Sequence, residues 1–513
     1  EVGGILALIY DAFYQEKGRY PAWHEARTLL MNGARTLYSD PMAQGAGMAN
    51  ALNAVEIIRG DRGVMIANED GDPYWVPGDY RGDEFYGFAR GLFAGETATE
   101  TFTVDNNGLV ATQIDLDAVE LTLIDHREWN FTSLPLAQEL VSNDTPYYGR
   151  RLFGAPGSPG SFGGADPLYL TTNPTDAQLI ADADLLVVRM SYPYEQFLDD
   201  IEGNWWFLYA FAWRDDNTDD LWYTDANANG VANTGESQAE RVRISYDYHG
   251  NTAEIRIRSP QALLDGDTWP NEPTAAPMSD ILIMLRHFYS GAFDTTDLSV
   301  TVELYQEVPW PAVTLDRSQL TIPAEASRTF VAETTATEPP GSYGGYIKAS
   351  YSTPYEYWEY LPVQKQVWFA SDVDPLLGGV DQPTLYDNGV VYGARGPSSA
   401  GDRAESGDWR FFYTDVGDGT LPADLGTYLL AQTTWEGEDD APNDTDLDTL
   451  FYAPTVADPL FTGQDSLFGP SGLTVVGGSP RVGSAPDWAY QTSTNGPEDW
   501  SAARMTSPGL HAV

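Results

Sequence analysis

The sequence predicts a mainly β chain that opens with the last helices of an α/β domain. Two patterns carry this prediction. Apolar residues recur at helical spacing within residues 1–62, and apolar and polar residues alternate in most later segments. At 513 residues the chain is too long for one hydrophobic core, so several domains are expected. Its 42% apolar content is enough for packed cores.

Three helices are predicted in the N-terminal segment. Val2 to Phe13 is apolar on nearly every side, which is typical of a helix buried within a larger core. Pro21 to Asn32 forms the second, because proline suits a first turn and Gly33 can end the helix. The third follows from apolar residues at helical spacing: Met48, Leu52, Val55 and Ile58. Three helices in succession indicate the end of an α/β domain.

Strands are predicted from about Asp83 onward. Residues 97–104 are rich in threonine, and residues 298–304 alternate between apolar and polar. Residues 242–248 and 255–257 alternate on either side of a His-Gly-Asn turn, which predicts a β-hairpin. We expect these antiparallel strands to form immunoglobulin-like and jelly-roll-like sandwiches.

The sequence also suggests an internal duplication. A tryptophan, an acidic loop, a leucine and two aromatic residues occur in Trp213–Tyr223 and again between Trp435 and Tyr452. Each copy follows a shorter strand-rich segment. The expected order is therefore a helical segment, an immunoglobulin-like domain, a sandwich with a metal loop, a second immunoglobulin-like domain and a second sandwich. The corresponding boundaries are 1–62, 84–127, 140–306, 308–372 and 373–513.

Three N-terminal segments resemble the end of a subtilisin-like serine protease domain. Glu1–Leu8 resembles the buried helix that follows the nucleophile motif Gly-Thr-Ser-Met-Ala-x-Pro of subtilases. Ala26–Ala34 is similar to the next helix of that family, and Gln44–Val55 is similar to its Gln-Gly-Ala-Gly segment and final helix. The rest of the chain is only loosely similar to the pyrolysin-like members, through Pro77–Gly82 and Pro340–Tyr346.

This resemblance implies an exported serine endopeptidase that hydrolyses protein or peptide substrates. The family's Asp, His and Ser triad and its oxyanion asparagine all precede the matched helices, so no catalytic residue is carried over to this chain. The β-domains would stabilise the catalytic domain, bind calcium, or tether the enzyme to a cell-surface partner. The alternative is a non-catalytic cell-surface or extracellular structural module derived from such a protease.

No second triad is indicated by the sequence. Asp125 and His126 are the one Asp-His pair adjacent in the chain, but neighbouring side chains on a strand point to opposite faces. A surface histidine is the simpler interpretation. Among 76 acidic residues, nothing selects a pair of carboxylates for glycosidase chemistry.

The most specific motif is Asp225–Glu236, which matches the calcium-loop pattern Asp-x-[Asp/Asn]-x-[Asp/Asn]-Gly-x5-Glu. Gly230 would make the sharp turn. Six residues would supply oxygen ligands to one calcium ion: Asp225, Asn227, Asn229, Val231, Asn233 and Glu236. Only two are charged, so we expect a Kd of about 0.1 to 1 mM, as in extracellular modules. The alternative is a polar turn that binds no metal.

Charge and composition limit the partners and the location. Acids outnumber bases 76 to 27, a net charge of −49 that repels nucleic acid and anionic membranes. No apolar stretch is long enough for a membrane helix, and the absence of cysteine excludes disulfides. Three glycosylation-type tripeptides favour export: Asn130-Phe-Thr132, Asn143-Asp-Thr145 and Asn443-Asp-Thr445. We therefore expect a secreted or cell-surface protein, with further sequence ahead of Glu1.

Overall fold

The structure is a computed structural model, and the chain in it is mainly β. It describes the following residues: 2–35, 46–68, 87–135, 148–151, 174–192, 205–213, 241–247, 252–265, 280–289, 295–351, 357–370, 391–392, 408–409, 412–416, 427–434, 450–454, 473–478, 490–492, 498–505 and 509–512.

The N-terminal segment contains the three predicted helices. They are α1 (Val2–Lys17), α2 (Trp23–Asn32) and α3 (Ala51–Arg59), and Gly33 ends α2 as expected. The helices share one small core, formed by Ile9, Ala12, Phe13, Ala26, Leu29, Ala54, Ile57 and Ile58.

Of the four apolar residues that predicted α3, Ile58 is buried and Val55 partly buried as expected, whereas Met48 precedes the helix and Leu52 is exposed. Leu52 is 65% exposed, while Ala54 and Ile57 are buried. The cause is the close approach of α2, because a Cβ placed on Gly33 would lie 2.7 Å from the backbone nitrogen of Ala54. Since α3 meets α2 at Ala54, the side of the helix that carries Ala54 and Ile57 faces inward.

Two sheets form the first sandwich. The smaller sheet contains, in hydrogen-bonded order, β1 (Met65–Asn68), β3 (Thr97–Asn106), β14 (Ala326–Thr335) and β12 (Val313–Leu315). The larger has eight strands, in the order β2 (Phe88–Phe93), β16 (Tyr357–Trp368), β15 (Gly341–Tyr351), β4 (Thr112–Pro135), β11 (Thr295–Pro309), β6 (Leu185–Ser191) and β9 (Thr252–Arg258), with β13 (Gln319–Ile322) also paired to β4.

The strands predicted for two separate immunoglobulin-like domains lie in this one sandwich. Segment 84–127 supplies β3 and β4, and segment 308–372 supplies β14 and β15. β3 pairs with β14 along its whole length, and β4 pairs with β15. Alternation identifies strands but says nothing about their partners. The chain leaves this sandwich after β4 and returns to it through β11.

A second small sheet covers the other half of the eight-stranded sheet. It contains β5 (Tyr148–Arg151), β10 (Asp280–Tyr289), β7 (Trp205–Trp213) and β8 (Arg241–Asp247). Two short helices, α4 (Pro174–Asp182) and α5 (Pro260–Leu264), accompany it. The core between these sheets is built from apolar residues that include Val188, Trp206, Ile255, Ile283, Val300 and Val302.

The predicted hairpin at 242–257 is wrong, although both of its strands exist. β8 pairs with β7 in the small sheet, whereas β9 pairs with β6 in the eight-stranded sheet. The chain therefore passes from one sheet to the other between Asp247 and Thr252. Two alternating strands joined by a short turn fit a hairpin within one sheet and a connection between two facing sheets equally well. In both cases one face of each strand lies in the core. The predicted strands at 97–104 and 298–304 are confirmed within β3 and β11.

The described residues of the C-terminal region lie mainly in strands. They are β17 (Val391–Tyr392), β18 (Asp408–Trp409), β19 (Tyr413–Val416), β20 (Thr427–Thr434), β21 (Leu450–Pro454), β22 (Leu473–Gly478), β23 (Tyr490–Thr492), β24 (Glu498–Met505) and β25 (Gly509–Ala512). The backbone N–H of Phe369 donates to the carbonyl of Tyr413 at 3.0 Å, which links this region to the end of β16. The two acidic loops of the suggested duplication lie outside the described residues.

Candidate functional site

The calcium loop cannot be placed in the fold. All six predicted ligands, Asp225, Asn227, Asn229, Val231, Asn233 and Glu236, lie outside the described residues. Within the described ranges, no group of three or more His, Asp or Glu side chains is positioned to hold a metal ion. The calcium site therefore stays a prediction from the sequence.

The Asp125-His126 pair is split by the strand that carries it. Asp125 accepts a hydrogen bond from Arg127 Nε at 2.7 Å. His126, 40% exposed, instead has its Nδ1 3.3 Å from Oε1 of Glu303, which lies directly opposite on β11. A cross-strand partner of this kind cannot be found from spacing along the chain. The two neighbours do not form a dyad, in agreement with the surface interpretation.

Helix α1 has one buried apolar face and one face that is open to solvent. Ile9, Ala12 and Phe13 lie in the helical core, whereas Val2 and Leu8 are about half exposed, Leu8 at 55%. The sequence predicted a helix α1 buried on nearly every side. In this structure its open side exposes Leu8 together with the small residues Gly4 and Ala7 and the polar residues Asp11 and Gln15.

Small residues extend the open face of α1. A Cβ added to Gly3 or Gly4 would meet nothing within 4 Å, so the backbone itself is accessible there. Tyr14 and Tyr20 continue the surface toward α2, with their rings stacked at a centroid distance of 4.8 Å. Both rings are largely exposed. The open face is therefore small or apolar toward its N-terminal end, aromatic at Tyr14, and polar where Asp11 and Gln15 lie.

The other side of the helical segment is fixed to the first sandwich by Asn32. Its Oδ1 accepts a hydrogen bond from the backbone N–H of Ile66 in β1 at 2.8 Å, and its Nδ2 donates to Glu359 of β16. Asn32 thus joins the end of α2 to both sheets of the sandwich. Because it is buried, loss of these bonds would leave polar groups without compensation.

The contacts of Asn32 form a first joint between the helices and the sandwich. A second joint connects the helices to the turn between β3 and β4. Asn107 Nδ2 donates to the carbonyl of Ile57 at 3.2 Å, and Lys17 Nζ donates to Asn107 Oδ1 at 2.8 Å. Gly60 ends α3 with a φ of 76°, and a Cβ there would lie 2.2 Å from the Asn107 carbonyl oxygen. Only glycine fits this position. The helical segment is therefore held to the sandwich at two separated points.

The face of the eight-stranded sheet opposite both cores carries a buried charged cluster, which we call the Glu307 cluster. Glu307 Oε1 accepts from Arg258 at 2.6 Å, and Oε2 accepts from Lys348 at 2.6 Å. The Arg258 guanidinium lies 3.4 Å from the centroid of the Tyr360 ring. These four residues come from β9, β11, β15 and β16, so the cluster links strands of the two sandwiches.

The pKa values in the Glu307 cluster follow from burial and charge. Burial alone would raise the pKa of Glu307, but the charges of Arg258 and Lys348 hold it below its ordinary value. Burial raises the pKa of Tyr360 to about 12, and it also raises the pKa of Asp184, whose carboxylate accepts the backbone N–H of Glu307 at 2.7 Å. Both oxygens of Glu307 are occupied by cations, an arrangement that suits stabilisation.

A second charged group, the Arg189 cluster, lies on the same face. Arg189 Nε donates to Glu254 at 2.7 Å and its Nη1 donates to Glu303. Arg256 Nε donates to the other oxygen of Glu254, and the Tyr305 hydroxyl donates to Glu303 at 2.7 Å. Burial opposes ionisation of Glu254, yet the two arginines lower its pKa. The cluster therefore holds β9, β6 and β11 together through charge-assisted hydrogen bonds.

Sequence reasoning missed both clusters. Their members are far apart along the chain: 90 positions separate Arg258 from Lys348 (348 − 258), and 114 separate Arg189 from Glu303. One signal was present: the chain contains only three lysines, Lys17, Lys348 and Lys365, and all three have specific partners in the structure. Two of these lysines, Lys348 and Lys365, lie in strands of the eight-stranded sheet and each binds a carboxylate.

Comparison with known proteins does not identify a family. No protein-family model matches the chain, and a comparison with curated proteins returned no significant match. Of the helices in the described ranges, none has the length and apolar character required to cross a membrane.

Proposed function

We propose that this chain is the C-terminal portion of an exported subtilisin-like serine endopeptidase whose β-rich domains stabilise and position the catalytic domain. In this proposal α1, α2 and α3 are the last helices of the α/β catalytic domain, and the strands that follow form immunoglobulin-like and jelly-roll-like accessory domains. The observation that carries the proposal is the exposure of Leu8 on α1, beside the open positions Gly3 and Gly4.

A helix with this composition is stable when both of its sides are covered. Full burial of a side chain such as Leu8 contributes about 1.5 to 3 kcal/mol relative to exposure. The exposed residues of α1 therefore favour a partner layer with an apolar surface, which the sheet of a catalytic domain would supply. By resemblance, α1 would hold the nucleophilic serine at its N-terminal end, where the helix dipole favours developing negative charge.

The two joints give the accessory domains a physical role. Asn32 connects the end of α2 to the first sandwich, and Asn107 connects the last turn of α3 to it. A catalytic domain that includes these helices would thus be held directly by the sandwich. The predicted calcium loop would add stability outside the cell, and the remaining strands would provide a surface for tethering or for substrate.

Covalent labelling tests the proposal. The exported protein is treated with a fluorophosphonate probe, which modifies activated serines, and the labelled peptide is identified by mass spectrometry. The proposal predicts one labelled serine in a Gly-Thr-Ser-Met-Ala-x-Pro segment joined to Glu1. The isolated chain 1–513 is the matched control and is expected to stay unlabelled. An exported protein that carries no labelled serine and no such segment contradicts the proposal and favours the non-catalytic structural module.

A further inference from the structure

The Asn130-Phe131-Thr132 tripeptide lies in the C-terminal half of β4, where its acceptor side chains reach solvent. Asn130 and Thr132 are both exposed. In an extended strand, residues two apart lie on the same face, so the Asn130 amide and the Thr132 hydroxyl are neighbours. Phe131 between them is not proline, which the glycosylation signal excludes. From this geometry we propose that Asn130 is an N-glycan acceptor, an inference that rests on the exported location in the proposed function.

The amide of Asn130 can be modified without loss of a buried bond. Its Nδ2 donates to Glu128 Oε1 at 2.7 Å, and this contact lies at the surface. A surface hydrogen bond of this kind exchanges with water at little cost. A sugar attached to Nδ2 would project into solvent on the same side as Glu128 and Thr132.

The backbone around Asn130 is bent and open on one side. Ser133, just after the tripeptide, has a φ of 51°, and the pairing register shifts between Thr296 and Leu298 on β11. Ser133 N–H donates to Asp297, the residue at that shift, at 2.6 Å. From Glu128 to Pro135, β4 pairs with β11 on one side, and no strand in the described ranges pairs with its other side.

The transfer is a substitution at a sugar carbon. The Asn130 amide nitrogen bonds to the anomeric carbon of a lipid-linked oligosaccharide. The bond from that carbon to the lipid phosphate oxygen breaks, the lipid phosphate leaves with the electron pair, and the amide proton passes to a base of the transferring enzyme. A glycan at this position would also cover an open strand edge, which proteins commonly protect against pairing with other chains.

Peptide mapping of the exported full-length protein tests the inference. Trypsin releases residues 128–150, which also contain the Asn143 tripeptide, and further cleavage after Glu139 separates the two candidate asparagines. Electron-transfer fragmentation then assigns any glycan to Asn130 or Asn143. We expect a glycan on Asn130, its complete loss in Asn130→Gln and Thr132→Ala, and its retention in Thr132→Ser. Asn143→Gln and Asn443→Gln are matched controls that should leave Asn130 modified.

Exported protein in which Asn130 is found only unmodified would overturn the inference, whatever the state of Asn143. The same digest reports separately on the proposed function, through the presence or absence of a nucleophile segment ahead of Glu1. A glycan on Asn130 without that segment would retain this inference and reject the protease. The reverse result would retain the protease and reject the glycan.

Discussion

Asn32 at the end of α2 accepts a hydrogen bond from the backbone N–H of Ile66 at 2.8 Å, although 34 positions separate the two residues. We expect Asn32→Ala to lower the free energy of unfolding by about 1 to 3 kcal/mol, because a buried backbone N–H loses its acceptor. Urea denaturation measures the change. Gln15→Ala, at an exposed site on α1, is the control and should stay within about 0.5 kcal/mol of wild type. Equal losses of unfolding free energy in the two variants would contradict the role of Asn32 in holding α2 to the sandwich.

Glu307 is expected to be one of the most sensitive positions in the fold. Arg258 is 5% exposed and Glu307 8% exposed, so Glu307→Ala leaves a buried guanidinium without its carboxylate. Breaking a buried pair in this way costs about 3 to 5 kcal/mol. Arg317→Met is the control, because its partner Asp316 forms a surface pair worth at most about 1 kcal/mol. A loss from Glu307→Ala no larger than that of the control would contradict this account.

Acid should weaken the fold through the same clusters. Glu307 and Glu254 have pKa values below their ordinary value of about 4.3, so each contributes stability above that pH. The contribution is lost as the pH falls through the lower folded pKa. Asp184 acts in the opposite direction, because its raised pKa favours the protonated folded form. We expect the unfolding free energy to fall less steeply below about pH 4.3 in Glu307→Gln than in wild type, and identical slopes would contradict the assignment.

Lys17 and Lys365 should differ in their reactivity toward acylating reagents. Lys365 has a side chain with 0% exposure, and its Nζ donates to Glu338 at 2.6 Å and to the carbonyl of Thr335 at 3.1 Å. Lys17 lies at the surface. Acylation with an N-hydroxysuccinimide ester, followed by peptide mapping, should modify Lys17 first and Lys365 only after unfolding. Modification of Lys365 at the rate of Lys17 in folded protein would contradict the burial of Lys365 in β16.

Calcium should stabilise the protein through the loop at 225–236. At calcium concentrations about 10 to 100 times the Kd, binding to the folded state adds about 1.4 to 2.7 kcal/mol. We expect Asp225→Ala and Glu236→Ala to abolish the calcium-dependent rise in Tm measured by calorimetry. Asp448→Ala, in an acidic loop without ligand spacing, should retain it. An unchanged rise in the first two variants would mean that the motif is only a polar turn.

Local patterns were sufficient to predict individual elements. The three N-terminal helices and the strands β3 and β11 were found because their apolar spacing reflects one neighbouring layer. Of the residues that α3 buries, Ile58 was found in this way but Ala54 and Ile57 were not, because contact with Gly33 determines the orientation of the helix.

The pairing of strands that are distant along the chain could not be predicted from the sequence. Nothing near β3 indicates that its partner is β14, more than 200 positions later, and β8 and β9 satisfy a hairpin pattern while lying in different sheets. The Glu307 cluster depends on the same distant pairings, so its members could not be grouped by spacing. The calcium loop is the reverse case, since a short ordered motif predicts it without any knowledge of the fold.

Hydroxyl-radical footprinting of α1 tests the central claim most directly. Leu8 should be oxidised rapidly in the isolated chain 1–513 and protected in the exported protein, where a catalytic-domain sheet would cover it. Leu109, 84% exposed at the tip of the β3–β4 turn, is the internal reference and should react equally in both. Equal oxidation of Leu8 in the two samples would contradict the proposal that α1 packs against the sheet of a catalytic domain.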